Sequence, residues 1–340
     1  YKALHEYEWS KMVSVTNAIA DVVTRQVLEP KKEAILKSDI PVLAEISDEV
    51  SSKVRDQYED NPYPRWVNLR LNNNPVPISE IAHAMELKLF DHTVLEVGSP
   101  DILIAGCGTG QHSIAVATRF KGSQVLAIDL SLSSLAYAKR KGDELGIKNI
   151  EYMQADILDL GNLDRKFDVV ESAGVLHHMD DPIAGWRVLV GCLKTGGLMK
   201  IGLYSELARQ DVVKIREELY QAGIGPSNPE MKSFRSGIIN SDKGHYKRIA
   251  SSGDFFCMSA LRDLLFHVQE HRFTIPQIQD YLNQLGLNFC GFESPEIVQE
   301  FKLTNTDKAD PYDLAKWNIY EQANPFRFGS MYQFWCQKIS

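Results

Sequence analysis

The stretch from Asp101 to Gly110 most constrains how this chain can fold. It reads Asp-Ile-Leu-Ile-Ala-Gly-Cys-Gly-Thr-Gly, so an apolar run ends in three glycines at alternate positions, and apolar residues at helical spacing follow directly. This pattern predicts a buried strand that turns sharply into a helix. Glycine tolerates backbone conformations that other residues avoid and lets a ligand approach the main chain closely. The helix that begins at the turn offers unpaired amide groups, so the sequence predicts a cofactor-binding turn.

The residue after the third glycine narrows the choice of cofactor. A dinucleotide fingerprint needs Gly or Ala at its sixth position, where the helix packs on the strand. This chain has Gln111 there. Pyrophosphate is therefore disfavoured, and we do not expect nicotinamide binding or dehydrogenase activity.

Strand and helix patterns alternate downstream of the glycine turn, which is typical of an α/β parallel sheet covered on both faces. The second predicted strand ends in Asp129-Leu130, about 20 residues beyond the glycines, where an acid can accept both hydroxyls of a ribose. Ser131 competes with Asp129 for capping the next helix. The third strand leads into Ala155-Asp156-Ile157, and the fourth, from Phe167, ends in Glu171.

The glycine string and these later pieces resemble the class I S-adenosylmethionine-dependent methyltransferases, whose motif I holds the methionine part of the cofactor. The resemblance implies a Rossmann-like class I methyltransferase sheet, closed by an antiparallel hairpin at 287–292 and 331–336, with S-adenosyl-L-methionine as cofactor. It also implies that Asp156 binds the adenine amine while Ile157 contacts the ring. The residues predicted to bind the cofactor are Gly106, Cys107, Gly108, Gly110, Gln111, Asp129, Leu130, Asp156, Ile157 and Glu171.

One position departs from the family pattern. The family usually has an acidic residue two positions before the first glycine, and this chain has Ile104. The contact with the cofactor's ammonium must therefore fall to backbone carbonyls or to another residue.

The loop after the fourth strand carries paired histidines. Its Val175-Leu-His-His178 sequence resembles the loop that borders the transferable methyl group in methyltransferases acting on small molecules. Methyl transfer depends chiefly on proximity and orientation. Where the acceptor must lose a proton, a histidine is suited to receive it at neutral pH, so His177 or His178 is the predicted base. The alternative is that both only pack against the cofactor or cap the following helix.

The string from Tyr58 to Trp66, Tyr-Glu-Asp-Asn-Pro-Tyr-Pro-Arg-Trp, predicts an extended segment docked on a surface. It either seals the N-terminal helices or forms a lid, in which aromatic faces favour a sulfonium and Arg65 grips a carboxylate. Similar Asn-Pro-Tyr-Pro-Arg-Trp strings precede the core in a group of bacterial class I methyltransferases, some linked to tetratricopeptide arrays. In the lid interpretation, Tyr58, Tyr63, Arg65 and Trp66 are substrate-site candidates.

Further substrate-site candidates follow the fifth strand, where Tyr204 and Glu206 lie at the same rim. Residues 267–271 read His-Val-Gln-Glu-His, formally the motif of inverted zinc peptidases, and on a helix His267 and His271 would share one face. Nothing else in the chain indicates a peptidase, so we assign no metal and expect these histidines to position the acceptor or to join helices.

Four segments are expected. Residues 1–92 form an N-terminal helical segment with the lid string, interrupted at Pro30 and Pro41, and ending in a short helix over 78–90. Residues 93–204 form the cofactor-binding core, 205–275 a helical insertion that caps the substrate, and 276–340 the C-terminal part of the core.

The net charge and the lengths of the apolar runs argue against several classes of function. A formal charge of −8 is the wrong sign for a nonspecific nucleic-acid binder. No apolar run reaches the roughly 18 residues of a membrane span, and five scattered cysteines fit a reducing compartment. We therefore expect a cytoplasmic protein with neither nucleic-acid nor membrane partners.

The predicted function is methyl transfer from S-adenosylmethionine to a nitrogen or oxygen nucleophile of a small molecule. Acidic residues near the rim, namely Glu171, Asp180, Asp181 and Glu206, favour a cationic amine. Methyl transfer to a protein or peptide remains an alternative, and it would need an open groove leading to the methyl group. A cofactor-binding regulatory protein without activity is a third, kept open by Ile104.

Overall fold

A seven-stranded sheet organises the protein in the computed structural model, which describes residues 3–329 and 331–339. The strands are β1 (Asp101–Ala105), β2 (Gln124–Asp129), β3 (Ile150–Gln154), β4 (Phe167–Ala173), β5 (Leu193–Leu203), β6 (Leu287–Phe292) and β7 (Tyr332–Lys338). Their spatial order is β3-β2-β1-β4-β5-β7-β6. The first five are parallel, and β7 runs antiparallel between β5 and β6. The α/β class, the parallel sheet and the antiparallel closing hairpin are confirmed.

Helices cover both faces of this sheet. They are α1 (Ala20–Val23), α2 (Glu29–Lys37), α3 (Glu49–Asp60), α4 (Ile78–Ala84), α5 (Gln111–Arg119), α6 (Leu132–Glu144), α7 (Pro182–Cys192), α8 (Gln210–Gln221), α9 (Asn228–Ile239), α10 (Gly244–Ala250), α11 (Met258–Phe266), α12 (Ile275–Gln284), α13 (Pro295–Lys302) and α14 (Leu314–Ala323). One apolar core lies on each face, and α8 to α11 enclose a third, smaller core. No helix within the described residues has the length and apolar character needed to span a bilayer.

Two predictions about the N-terminal helices are wrong. Pro30 does not interrupt its helix, because a π-helical turn at Thr24–Leu28 joins α1 to α2 and accommodates the missing amide donor. The helix predicted over 78–90 ends at Ala84, since Glu86 adopts φ +50° and turns the chain away. The interruption at Pro41 and the helix α3, which Asp48 caps, are confirmed.

Arg140 fixes the N-terminal helices against the core. Its side chain on α6 is 1% exposed and pairs with Glu29 at 3.2 Å, Glu33 at 2.8 Å and Glu144 at 2.7 Å. Breaking one partner of a buried ion pair leaves an uncompensated charge, which is costly. The two α2 glutamates therefore hold α2 on α6.

Candidate functional site

One cavity of about 740 Å³ lies at the carboxyl ends of the parallel strands. Ligands of open α/β sheets bind at this edge, and the volume is that of a small-molecule site. Among its lining residues are these members of the predicted cofactor-binding set: Gly106, Cys107, Gly108, Gln111, Asp129, Leu130, Asp156 and Ile157. Gly110 and Glu171 lie outside the lining; a Cβ on Gly110 would meet Ala138 of α6 at 2.6 Å, so this glycine serves helix packing.

Two glycines of the turn make close approaches that no side chain would allow. Gly106 has φ +80°, and a Cβ there would lie 2.2 Å from Cγ2 of Val175 in the loop after β4. Gly108 has φ +52°, and its Cβ would lie 2.9 Å from the carbonyl oxygen of Tyr63. The main chain of the turn thus packs between the loop after β4 and the lid string, and glycine is required at both contacts.

Asp129 lies at the end of β2 with both carboxylate oxygens pointed at main-chain donors. The Gly108 amide donates to Oδ2 at 2.8 Å, and the Ser131 amide donates to Oδ1 at 3.0 Å. Each oxygen keeps a second lone pair, which suits a ribose diol. Ser131, and not Asp129, caps α6 by accepting from the Ser134 amide. Burial raises the pKa of Asp129 above its ordinary value.

Asp156 and Ile157 border the same cavity one strand further along. Oδ1 of Asp156 accepts from the Leu158 amide at 3.0 Å, and the carboxylate also receives a hydrogen bond from Ser51 of α3. Ile157 is buried. A carboxylate beside an apolar side chain matches the amine edge and flat face of adenine.

Glu171 is the cross-strand neighbour of Ile104, the position where the family acid is missing. Its side chain is fully buried, its Oε2 lies 2.7 Å from Nε2 of His112, and no described residue donates to its Oε1. Burial alone would raise the pKa of Glu171, but Lys200 and His112 outweigh it and lower the value to about 2. Lys200 and His112 both line the cavity. The chain therefore keeps a buried carboxylate beside the glycine turn, on β4 in place of β1.

The lid string packs directly on the glycine turn. The indole Nε1 of Trp66 donates to the Thr109 carbonyl at 3.1 Å, and the Thr109 hydroxyl donates to the Pro64 carbonyl. Tyr58 and Tyr63 line the cavity, whereas Trp66 is buried behind the turn. Arg65 is exposed and lies outside the cavity, so its predicted grip on a carboxylate has no support.

Glu59 ties α3 to the site, and sequence reasoning missed it. Its Oε2 accepts from the Ser131 hydroxyl at 2.8 Å and from the Ser133 amide at 2.9 Å, at the N-terminus of α6. Its Oε1 pairs with Lys37 at 2.7 Å. A single glutamate in a charged helix carries no sequence signal for such a contact.

The paired histidines occupy different environments. His178 lines the cavity, and its Nδ1 lies 2.6 Å from the Gln269 carbonyl, which assigns the proton to Nδ1 and leaves a lone pair on Nε2. His177 is fully buried outside the cavity lining, stacked on Tyr204 at 3.8 Å, with no hydrogen-bond partner for either ring nitrogen. Burial lowers the pKa of both, to about 3 for His178. Of the two histidines, only His178 lines the cavity.

A hydrogen-bonded chain lies beside His178. Nδ1 of His267 accepts from the Gln269 amide at 3.2 Å, which assigns the proton of the neutral ring to Nε2. This Nε2 lies 3.1 Å from the Tyr58 hydroxyl, and that hydroxyl donates to Oδ1 of Asp263 at 2.5 Å. Burial raises the pKa of Asp263 to about 6, opposed by the Tyr58 hydrogen bond. The rings of His178 and His267 stack at 3.6 Å, and burial lowers the pKa of both, so two neutral rings pack face to face.

The premise of the zinc-motif interpretation is wrong, because residues 267–271 do not form a helix. Helix α11 ends at Phe266, with His267 as its extended C-cap, and Glu270 pairs with Arg209 at 2.5 Å and Arg216 at 3.3 Å. Ligand atoms of His178, Asp263 and His267 do lie within 4.8 Å of one another. A metal-bound histidine, however, donates its other ring proton, whereas Nδ1 of His267 accepts one. The arrangement is that of a hydrogen-bonded chain, and we assign no metal to it.

Of the remaining predicted substrate-site residues, one lines the cavity and two lie outside it. Tyr204 lines the cavity, with its ring stacked between His177 and the Arg209 guanidinium, each at 3.8 Å. Glu206 pairs with Arg272 at 3.1 Å and binds Gln210, outside the cavity. The amide of His271 donates to the His177 carbonyl at 2.7 Å, and this residue also lies outside the lining.

Several polar cavity residues were missed, namely His112, Lys200, Arg209, Asp254 and Asp263. Three of them, Arg209, Asp254 and Asp263, lie in the inserted region, where no family motif marks a position. His112 is the second residue of α5. Its place in the first helical turn after the glycines is a sequence signal that could have identified it.

The buried imidazoles predict a loss of stability in mild acid. Burial lowers the folded-state pKa of His177, His178 and His267 below 6.5, the ordinary value of histidine. As the pH falls, these side chains therefore take up protons in the unfolded chain before they do so in the folded one. Their contribution to stability is complete above pH 6.5 and is lost as the pH falls toward 3. Three such groups, partly offset by Asp263, give a loss of about 3 kcal/mol between pH 7.5 and 5.5. Urea unfolding at the two pH values measures it. A His177→Phe variant should lose about 1 kcal/mol less; equal slopes in variant and wild type would contradict this account.

Comparisons with known proteins agree with this geometry. Residues 102–197 match the family model described as a methyltransferase domain. The chain is 26% identical over 239 residues to an uncharacterized protein of Synechococcus sp., covering 66% of this chain and 57% of that protein. It is 33% identical over 162 residues to the ubiquinone biosynthesis O-methyltransferase of Marinobacter nauticus, covering 46% of this chain and 66% of that enzyme. The chain thus spans less than two thirds of the length of either relative.

Solved structures confirm the fold. PKMT2 from Rickettsia typhi, determined in complex with AdoHcy, superposes with a TM-score of 0.57 at 17% identity, over 82% of this chain and 55% of that protein. A second structure of PKMT2 from the same organism gives a TM-score of 0.59. Residues 102–197 therefore match a methyltransferase domain on a Rossmann-like sheet, which supports an enzyme with S-adenosylmethionine as its cofactor.

Proposed function

We propose that this protein transfers the methyl group of S-adenosylmethionine to a nitrogen or oxygen nucleophile of a small molecule. The observation that carries the proposal is one continuous cavity. Its lining joins the glycine turn and Asp129 to the side chains of His178 and Tyr58, so a cofactor and an acceptor would share one space.

The residues present fit the cofactor. Asp129 would hold the ribose hydroxyls, Asp156 and Ile157 the adenine, and the glycine turn the methionine part. Lys200 and His112, which the buried Glu171 organises, lie at the cavity lining and are suited to the amino-acid end of the cofactor. When bound, the cofactor supplies an electrophilic methyl group; the protein's own part is to orient the acceptor and exclude water.

His178 is the member of the histidine pair to which we assign a direct role. Its ring is neutral and fixed by the Gln269 carbonyl, and Nε2 has no donor among the described residues. It would accept a hydrogen bond from the N–H or O–H of the acceptor and so direct the lone pair of that atom.

The flanking segments complete the proposal. Residues 58–66, whose string resembles one that precedes the core in a group of bacterial class I methyltransferases, act as a lid over the cofactor. Residues 1–92 support that lid, 93–204 and 276–340 form the core, and 205–275 cap the acceptor. In support, Tyr63 contacts Gly108, while Asp254 and Asp263 of the inserted region line the cavity.

Incubation with methyl-labelled cofactor and fractionated cell extract tests the proposal. We expect label in small molecules. Label in macromolecules would instead support a protein or peptide acceptor, and cofactor binding without transfer to any fraction would support a regulatory protein.

A further inference from the structure

The acceptor end of the cavity has an unequal supply of hydrogen-bond donors and acceptors. Tyr58 donates to Asp263 and Tyr63 donates to Asp254 at 3.2 Å. Arg209 is engaged by Glu270 through two nitrogens, at 3.3 and 2.5 Å. The charged and phenolic donors nearest to Asp263 are therefore already committed, and the Tyr204 hydroxyl is left as a neutral donor.

The acceptors at this end are not committed to the same degree. Asp263 is 7% exposed and lines the cavity, yet among residues 3–329 and 331–339 no group donates to its Oδ2. Nε2 of His178 is likewise without a donor. Asp254, at the cavity lining and exposed, adds a second carboxylate. A ligand that satisfies this end must bring donors and positive charge.

We propose that the methyl acceptor is a primary or secondary alkyl amine, and that Asp263 binds its ammonium and receives the proton that this group must lose. This inference rests on the proposed function and names its substrate class. An anionic acceptor is disfavoured by the two aspartates, and an alcohol would leave Oδ2 with a single neutral donor.

The proton balance follows from these positions. An N–H bond of the ammonium breaks and the proton passes to Oδ2 of Asp263. The freed nitrogen lone pair forms the new N–C bond as the C–S bond of the sulfonium breaks, and that electron pair stays on sulfur. Burial has raised the pKa of Asp263 to about 6, close to the range in which a carboxylate is an effective base at neutral pH.

Tyr58 and His267 position Asp263 and do not touch the acceptor in this scheme. The Tyr58 hydroxyl fixes Oδ1 and thereby turns Oδ2 toward the cavity, while the His267 ring fixes the Tyr58 hydroxyl. The other charged groups nearby are Arg209 and Arg216, and both pair with Glu270. The proposed ammonium site is thus the Asp263 carboxylate, whose Oδ1 is fixed by Tyr58 and whose Oδ2 is available to the ligand.

A matched pair of probes tests the inference on the full chain loaded with S-adenosylhomocysteine. Calorimetry with n-hexylamine and n-hexanol compares an ammonium with a hydroxyl of similar size. We expect hexylamine to bind at least tenfold more tightly than hexanol, and Asp263→Asn to abolish this preference without weakening hexanol. The surface variant Asp242→Asn removes the same charge from the inserted region and should keep the preference.

Two further results decide the inference. Should Asp263→Asn fail to fold, Asp263→Glu keeps the charge, and we expect it to retain the preference for hexylamine. A wild-type protein that binds both probes equally would overturn the inference while leaving the proposed function intact. Absence of S-adenosylhomocysteine binding, measured first, would contradict the proposed function itself.

Discussion

Replacing Asp129 with Asn is expected to weaken S-adenosylhomocysteine binding by about 100-fold or more. Two charge-assisted hydrogen bonds to the ribose are worth at least about 3 kcal/mol together. The substitution has a second effect, because Asp129 also accepts from the Gly108 and Ser131 amides. An amide side chain would turn one NH2 group toward a main-chain donor and disturb the glycine turn.

Titration calorimetry with S-adenosylhomocysteine measures this loss. Asp180→Asn is a suitable control, because Asp180 is an exposed acid in the fourth loop with the same charge. Its dissociation constant should equal that of the wild type. An Asp129→Asn protein that binds within threefold of wild type would remove Asp129 from the cofactor site.

Replacing His178 with Ala is expected to lower methyl transfer by about 100-fold, the effect of losing acceptor orientation at the reacting atom. The affinity for S-adenosylhomocysteine should be unchanged, because the ring lies at the acceptor end and contacts Gln269 and His267. Transfer is followed as label moved into the extract fraction that the wild-type enzyme modifies.

His177→Phe supplies the matched comparison within the same loop. His177 is fully buried with two unsatisfied ring nitrogens, and leaving a buried polar group unpaired costs about 1–3 kcal/mol. Phe keeps the stack on Tyr204 and removes that cost, so this variant should transfer methyl groups normally and be no less stable than wild type. Equal loss of transfer in both variants would mean that loop packing, and not His178, is responsible.

The sequence predicted the sheet well because its signals are local. A buried apolar run followed by glycines, as in β1, or by an acid, as in β2 and β3, requires only neighbouring residues to be recognised. The positions of Asp129 and Asp156 at one cavity follow from a general property, since parallel strands present their carboxyl ends at the same edge. These predictions needed no knowledge of distant contacts.

Helix ends and the acceptor site were less predictable. Pro30 indicated a break that a π-helical turn avoids, and the zinc-motif histidines were placed on a helix that ends at Phe266. The acids expected to favour an amine lie outside the cavity lining: Asp181 caps α7 and Glu206 pairs with Arg272. Asp263 lies 205 residues from its hydrogen-bond partner Tyr58, and no local pattern links two such positions.

The sequence by itself determined the class of fold, the glycine turn and the two aspartates that line the cavity, because each is encoded in a short run of neighbouring residues. Tertiary structure alone decided which histidine meets the cavity, how Glu171 stands beside Ile104, and which carboxylate is left without a donor. Those properties depend on how burial and hydrogen-bond partners are distributed among residues far apart in the chain. Such a distribution exists only once the lid, the inserted helices and the sheet have packed together.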